Sequence, residues 1–164
     1  MHVDLIARHT FQAAPEAVFA LGLDPLRFPA AFRGFGPIPS IRSITLHATP
    51  AVGSTRELEN SDGSRPQERI TALEPPHRHA YTLSGLSAPF SWLVLAGHAD
   101  WTFIAVAKNT VVEWRYRFDL TSPLAWPIAW PLLTLFMTAA MQRCLAAMAT
   151  ILDVPKLNEQ EAGR

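Results

Sequence analysis

Few side chains in this sequence are of types, and at spacings, that support chemistry. Glu68 and His79 are candidates for a general base, while Arg56, Tyr81 and Tyr116 could polarise a carbonyl. Paired carboxylates need two acids on one inward face, and only Glu68 stands on such a face. His77 and His79 share a strand face, but no third ligand follows at a metal-site spacing, so no metal is expected. Cys144 lies among Leu, Ala and Met in a helical pattern and reads as a buried, inert thiol. The chain has no Gly-x-Ser-x-Gly elbow, phosphate-binding loop or dinucleotide fingerprint, and no cofactor is expected.

Strands must carry the candidate groups, because alternation decides which side chains share a face. Within Val111–Leu120, Val112, Trp114, Tyr116, Phe118 and Leu120 fall on one side, against Val111, Glu113, Arg115, Arg117 and Asp119. The strand His98–Val106 places Ala99, Trp101, Phe103 and Ala105 together. By the same parity the inward sets are His79, Tyr81 and Leu83 in Arg78–Ser84, and Glu68, Ile70 and Ala72 in Gln67–Leu73. Leu58 inward brings Arg56 and Asn60 with it. The shared face is therefore aromatic, and its candidates to line a ligand cavity are Arg56, Leu58, Glu68, Ile70, Tyr81, Leu83, Trp101, Phe103, Trp114, Tyr116 and Phe118, with Met137 and Met141 from a facing helix. Phe28, Phe32 and Phe35 are candidates for its mouth. Arg56 and Glu68 lie nearly symmetrically about the Asp62-Gly63 turn and can pair across strands. Two readings of that pair stand: a buried couple that orients a ligand, or a solvated pair at the sheet edge.

Composition narrows the function classes. The chain has 164 residues, with 14 basic and 14 acidic side chains, which argues against a nucleic-acid partner. Its single Cys excludes an internal disulfide framework. Charged residues are 17% and hydrophobic residues 49%, a composition that folds rather than stays disordered. The start, MHVDLIARHTF, lacks the basic and apolar regions of a signal peptide, so a cytoplasmic location is expected. Residues 124–141 are long and apolar enough for a membrane span, but Pro127 and Pro131 interrupt them. From Pro131 onward Thr134, Thr138, Gln142, Ala146 and Thr150 form one stripe, opposite Leu133, Met137, Met141, Cys144, Leu145, Met148 and Ile151. That pattern predicts an amphipathic helix facing a core, with Trp126 and Trp130 suited to a peripheral membrane contact.

The order of elements is strand, two short helices, six strands and a long helix. It predicts an α+β layout of one antiparallel sheet packed on one helix. One domain is expected over residues 1–154, followed by a polar, frayed tail over 155–164. The segments APEAVFALGLDPLRFPAAF, VGSTRELENSDGSRPQERITALEPPHRHAYTLSG and TVVEWRYRFDL, ahead of a final helix, resemble the START-like (SRPBCC) superfamily of polyketide cyclase/dehydrase-type proteins. That resemblance implies a helix-grip fold: a curved sheet of about seven strands around the C-terminal helix, with a hydrophobic cavity between them. The chain departs from the pattern in LAWPIAWP, just before the final helix. The expected function is binding of a small hydrophobic molecule such as a lipid, polyketide-like or aromatic compound. The alternatives are a cyclase, dehydratase or hydrolase working through Glu68 or His79 in the same cavity, and a membrane-peripheral or protein-interaction module using Trp126 and Trp130.

Overall fold

The computed structural model describes residues 1–154, and the expected polar tail over 155–164 lies outside the described residues. Seven strands form one antiparallel sheet in the order β1-β7-β6-β5-β4-β3-β2. They are β1 (His2–Phe11), β2 (Ile41–Leu46), β3 (Thr55–Asn60), β4 (Gln67–Glu74), β5 (Arg78–Ser84), β6 (Val94–Val106) and β7 (Asn109–Leu120). From β2 to β7 each strand pairs with its neighbour in sequence, while β1 crosses to the far edge and pairs with β7. Helix α1 (Pro15–Leu23) begins with Pro15 in its first turn, where a missing N–H costs nothing.

The second expected helix is reduced to turns. Asp24 Oδ1 accepts from the amides of Leu26 and Arg27, and a single tight turn, Phe28–Ala30, follows with Pro29 inside it. Two strand limits also differ from the periodicity. The alternation beginning at Ile38 predicts a strand from that residue, but β2 starts at Ile41 because Phe35 and Ile38 exchange hydrogen bonds in a tight turn. Strand β6 begins four residues before His98, at Val94, and a register shift between Val94 and Ala96 leaves Leu95 exposed. In β4 a second shift, between Ile70 and Ala72, pairs Leu73 rather than Ala72 with inward His79. Ala105, expected inward, is exposed near the end of β6.

The apolar segment before the C-terminus is one long helical rod, Pro123–Asp153. It comprises α2 (Trp126–Leu132), one wide turn at Leu133–Met137, and α3 (Thr138–Asp153). Pro131 supplies no amide to the helix, and just beyond it the backbone widens: the Thr138 amide reaches back five residues to the Leu133 carbonyl. Thr134 Oγ1 donates to the Trp130 carbonyl at 2.6 Å in the same stretch. Helix α3 packs on β1 and α1; Met141, Cys144, Leu145 and Met148 of the apolar stripe read from the sequence are buried, and Ala140 is buried with them.

The concave face of the sheet is an aromatic ladder. Trp101 stacks on Trp114 with ring centroids 4.2 Å apart, and Tyr116 stacks on Phe118 at 4.3 Å. Phe103 continues the row beyond Trp101 at 6.2 Å. Gly97 makes the second stack possible: a Cβ there would stand 2.6 Å from the Tyr116 ring. The convex face is charged instead, with ion pairs Arg8–Glu113, Arg78–Asp100 and Arg117–Asp4 across neighbouring strands.

His79 is buried on the concave side, edge-on to Phe19 at 6.4 Å and against Tyr81 at 5.3 Å. Burial, aided by the positive charge of Arg56, pushes its pKa down from 6.5 to about 3. The folded state therefore stays neutral where the unfolded state takes up a proton, so stability falls as pH drops from 6.5 toward 3. Arg117 beside Asp4, and Arg115 with Arg8 beside Glu113, hold those carboxyls below their ordinary values of 3.8 and 4.5, so they act only at lower pH.

Two outcomes follow. Between pH 6.5 and 4.5 urea denaturation should show a loss of about 2–3 kcal/mol, at roughly 1.4 kcal/mol per pH unit, and His79→Leu should flatten that slope; equal slopes would contradict it. Gly97→Ala should lower stability by about 1–3 kcal/mol through displacement of Tyr116, and an unchanged urea midpoint would show that the contact is relaxed easily.

Candidate functional site

The space between sheet and helix is not uniformly filled. On the side of β6 and β1 it is close-packed: Trp101, Phe103, Met141 and Leu145 are buried in contact with neighbouring core groups. Toward β3 and β4 the helix and sheet part, and a partly open cavity of about 210 Å³ remains. Its floor is Leu58, Glu68, Tyr81, Leu83, Trp114, Tyr116 and Phe118, from β3, β4, β5 and β7. Leu132 and Met137 reach it from the helical rod, the latter from the wide turn that follows Pro131. Phe28, Phe32, Pro37, Ile38 and Ile41 close one side, and Leu86, Pro89, Phe90 and Leu93 the other.

Of the residues expected to line a cavity, the structure therefore brings together Leu58, Glu68, Tyr81, Leu83, Trp114, Tyr116, Phe118 and Met137, with Phe28 and Phe32 beside them. Arg56, Ile70, Trp101, Phe103 and Met141 are buried outside it. Trp101, Phe103 and Met141 fall in the packed part of the interface, whereas Ile70 and Arg56 are buried on β4 and β3 without lining the cavity. Phe35 is not at the mouth either. Arg143 sits over its ring at 4.2 Å and Phe136 packs beside it at 6.0 Å, so it ties the loop to the final helix. His79, the other base candidate, is buried against Phe19 and Tyr81 rather than in the cavity wall.

The segment Leu86–Leu93 was not anticipated as part of the wall. Its signal was present, since Leu86, Pro89, Phe90 and Leu93 are too apolar for a solvated loop. Periodicity does not report such residues because the segment has no regular repeat. Phe90 packs edge-on to Phe118 at 6.3 Å, and the Thr121 amide donates to the Leu93 carbonyl, which holds the segment across the end of β7.

Arg56 and Glu68 stand opposite each other in the β3–β4 register. The Arg56 Nε–H donates to Glu68 Oε2 at 2.5 Å, with both side chains nearly inaccessible. The pair is thus buried and not solvated at an edge. The guanidinium also lies 5.7 Å from the centroid of the Tyr81 ring, and its Nη1 has no hydrogen-bond partner among the described residues. Burial, with a further push from the nearby Glu68 charge, raises the hydroxyl pKa values of Tyr81 and Tyr116, so both stay protonated. Burial likewise raises the Cys144 thiol, which is enclosed within α3 and remains uncharged. No cluster of three potential metal-ligating side chains occurs among the described residues. The arrangement offers an apolar, aromatic enclosure with one carboxylate and two phenol groups at its inner wall.

Comparisons place this geometry. The family model for polyketide cyclase / dehydrase and lipid transport matches residues 2–153. No curated protein matches the chain in sequence. Truncated norcoclaurine synthase from Thalictrum flavum aligns with a TM-score of 0.72 at 13% identity, covering 95% of this chain and 96% of its own. The synthase from the same plant in complex with dopamine and hydroxybenzaldehyde gives 0.69 at 12% identity, over 93% of this chain and 87% of that one. Ara h 8.0201 gives 0.69 at 14% identity, over 93% of this chain and 98% of its own. At these identities the structures establish the helix-grip fold alone, whereas the family match spans nearly all the described residues. The chain belongs to the polyketide cyclase / dehydrase and lipid transport family.

Proposed function

We propose that this protein binds a small, mainly apolar molecule in the cavity between β3, β4, β5, β7 and the helical rod. The observation that carries the reading is an aromatic-walled space of about 210 Å³ beside a buried hydrophobic core. A ligand burying about 250 Å² of apolar surface there would gain on the order of 6 kcal/mol before the entropy of association is subtracted. That range suits a ligand with a few rings or a short chain. Binding is favoured over turnover because Glu68 is paired with Arg56 through Oε2, and His79, whose basicity burial cuts to a pKa of about 3, lies outside the cavity lining. The family's association with lipid transport agrees with the reading, and one structural relative holds two small aromatic molecules.

A second reading concerns α2 and the turn just before it, Pro123–Ala125, whose burial is inverted. Ala125 and Ala129 face the protein, while Leu124, Trp126, Ile128 and Trp130 are exposed, Leu124 at 89% and Ile128 at 61%. Trp126 and Trp130 stack on each other at 5.7 Å, outside the core. Such a surface suits the interfacial region of a bilayer, where Trp is enriched, and would set the cavity beside a source of apolar ligand.

The neutral fluorescent probe N-phenyl-1-naphthylamine should bind saturably, and Leu83→Trp should weaken uptake at least ten-fold by filling the space. Probe at a hundred times its Kd should add about 2.7 kcal/mol to stability. No uptake by the wild-type protein would remove the binding proposal. Trp126→Ala with Trp130→Ala should abolish co-sedimentation with phosphatidylcholine vesicles while leaving probe binding intact; absence of wild-type co-sedimentation would end the membrane reading.

A further inference from the structure

The charges around the cavity are one-sided. Its lining includes two carboxylates, Asp62 at the rim and Glu68 at the inner wall, and no Lys, Arg or His. Arg56, the ion-pair partner of Glu68, is not part of the lining, and its Nη1 is buried without a hydrogen-bond partner among the described residues. Glu68 uses Oε2 to accept from Arg56, and Oε1 has no hydrogen-bond partner among the described residues. Glu68 itself is 4% exposed and still lines the cavity. Oε1 is thus open to the cavity rather than sealed in the wall; a carboxylate oxygen facing an apolar enclosure is poorly solvated, and a donor supplied by a ligand would satisfy it. A ligand carboxylate at the same place would meet a like charge in a medium that screens poorly.

Resting on the reading that this cavity holds an apolar molecule, we infer that the ligand carries a hydrogen-bond donor, such as an alcohol or phenol, presented to Oε1 of Glu68, and that the site rejects carboxylate-bearing ligands such as fatty acids. Tyr81 and Tyr116 flank that position with protonated hydroxyls, which can accept from or donate to the same polar end. The hydrocarbon part then lies toward Leu83, Phe118 and Met137. Specificity of this kind arises because a ligand without the donor leaves a buried acceptor unpaired.

The test is a binding series at pH 7 by titration calorimetry, using 2-naphthol, 2-methoxynaphthalene, naphthalene and 2-naphthoate. The methoxy compound keeps the oxygen and loses the donor, so it isolates the hydrogen bond. We expect 2-naphthol to bind at least about ten-fold more tightly than 2-methoxynaphthalene or naphthalene, and 2-naphthoate to bind weakest. Glu68→Gln alone leaves Arg56 buried and unpaired and can fail to fold. The double variant Arg56→Met with Glu68→Met removes both charges together and should reduce the 2-naphthol preference to less than about three-fold. Equal binding of all neutral compounds, or tightest binding of 2-naphthoate, would overturn the inference and leave the cavity reading standing. Failure of all four compounds to bind would overturn both.

Discussion

A carboxyl group set in an aromatic wall is costly unless a partner of opposite charge is buried against it, and here Arg56 is that partner for Glu68. Much of the local architecture bears on this pair. The Asp62-Gly63 turn sets the β3–β4 register that brings the two residues opposite each other. The Tyr81 ring, one strand further along, lies beside the guanidinium. The positive charge in turn helps to keep His79 neutral. Removing one member of the pair would leave a charge buried without its counterion, a far larger penalty than the pair's own net contribution.

The same sheet divides its concave face into two parts with different physics. Near β6 and β1 the Trp101–Trp114 stack, Phe103 and the α3 methionines interlock, and their large rings leave little room. Toward β3 and β4 the covering elements are the wide turn after Pro131, the lip around Phe28 and Phe32, and the Leu86–Leu93 segment. These do not interdigitate as a regular helix face would, and the cavity persists there. Gly97 contributes from the sheet side, because it lets Tyr116 and Phe118 stack flat along the wall rather than project into the space.

Much of this was legible in the sequence, and the reasons are local. Strands β5 and β7 alternate so cleanly that Tyr81, Trp114, Tyr116 and Phe118 could be assigned a common face, and the structure brings them together. Alternation is blind to insertion of a residue, so the shift between Ile70 and Ala72 moved Leu73 inward against expectation. Strand parity also cannot say how far along a strand the covering helix makes contact. That is why Trp101 and Phe103, though buried, lie outside the cavity. The Leu86–Leu93 wall and the tether of Phe35 to Arg143 depend on contacts between irregular segments distant in sequence, and no repeat encodes them.

The division between a hollow and a packed part is the claim from which the functional reading follows, and methyl NMR tests it directly. Spectra of methyl-labelled protein would be recorded as 2-naphthol is added. The account predicts large shifts for the methyls of Leu58, Leu83 and Met137, with Leu145, Met141 and Met148 nearly unmoved. Shifts spread evenly over both sets, or confined to Met141 and Met148, would contradict it.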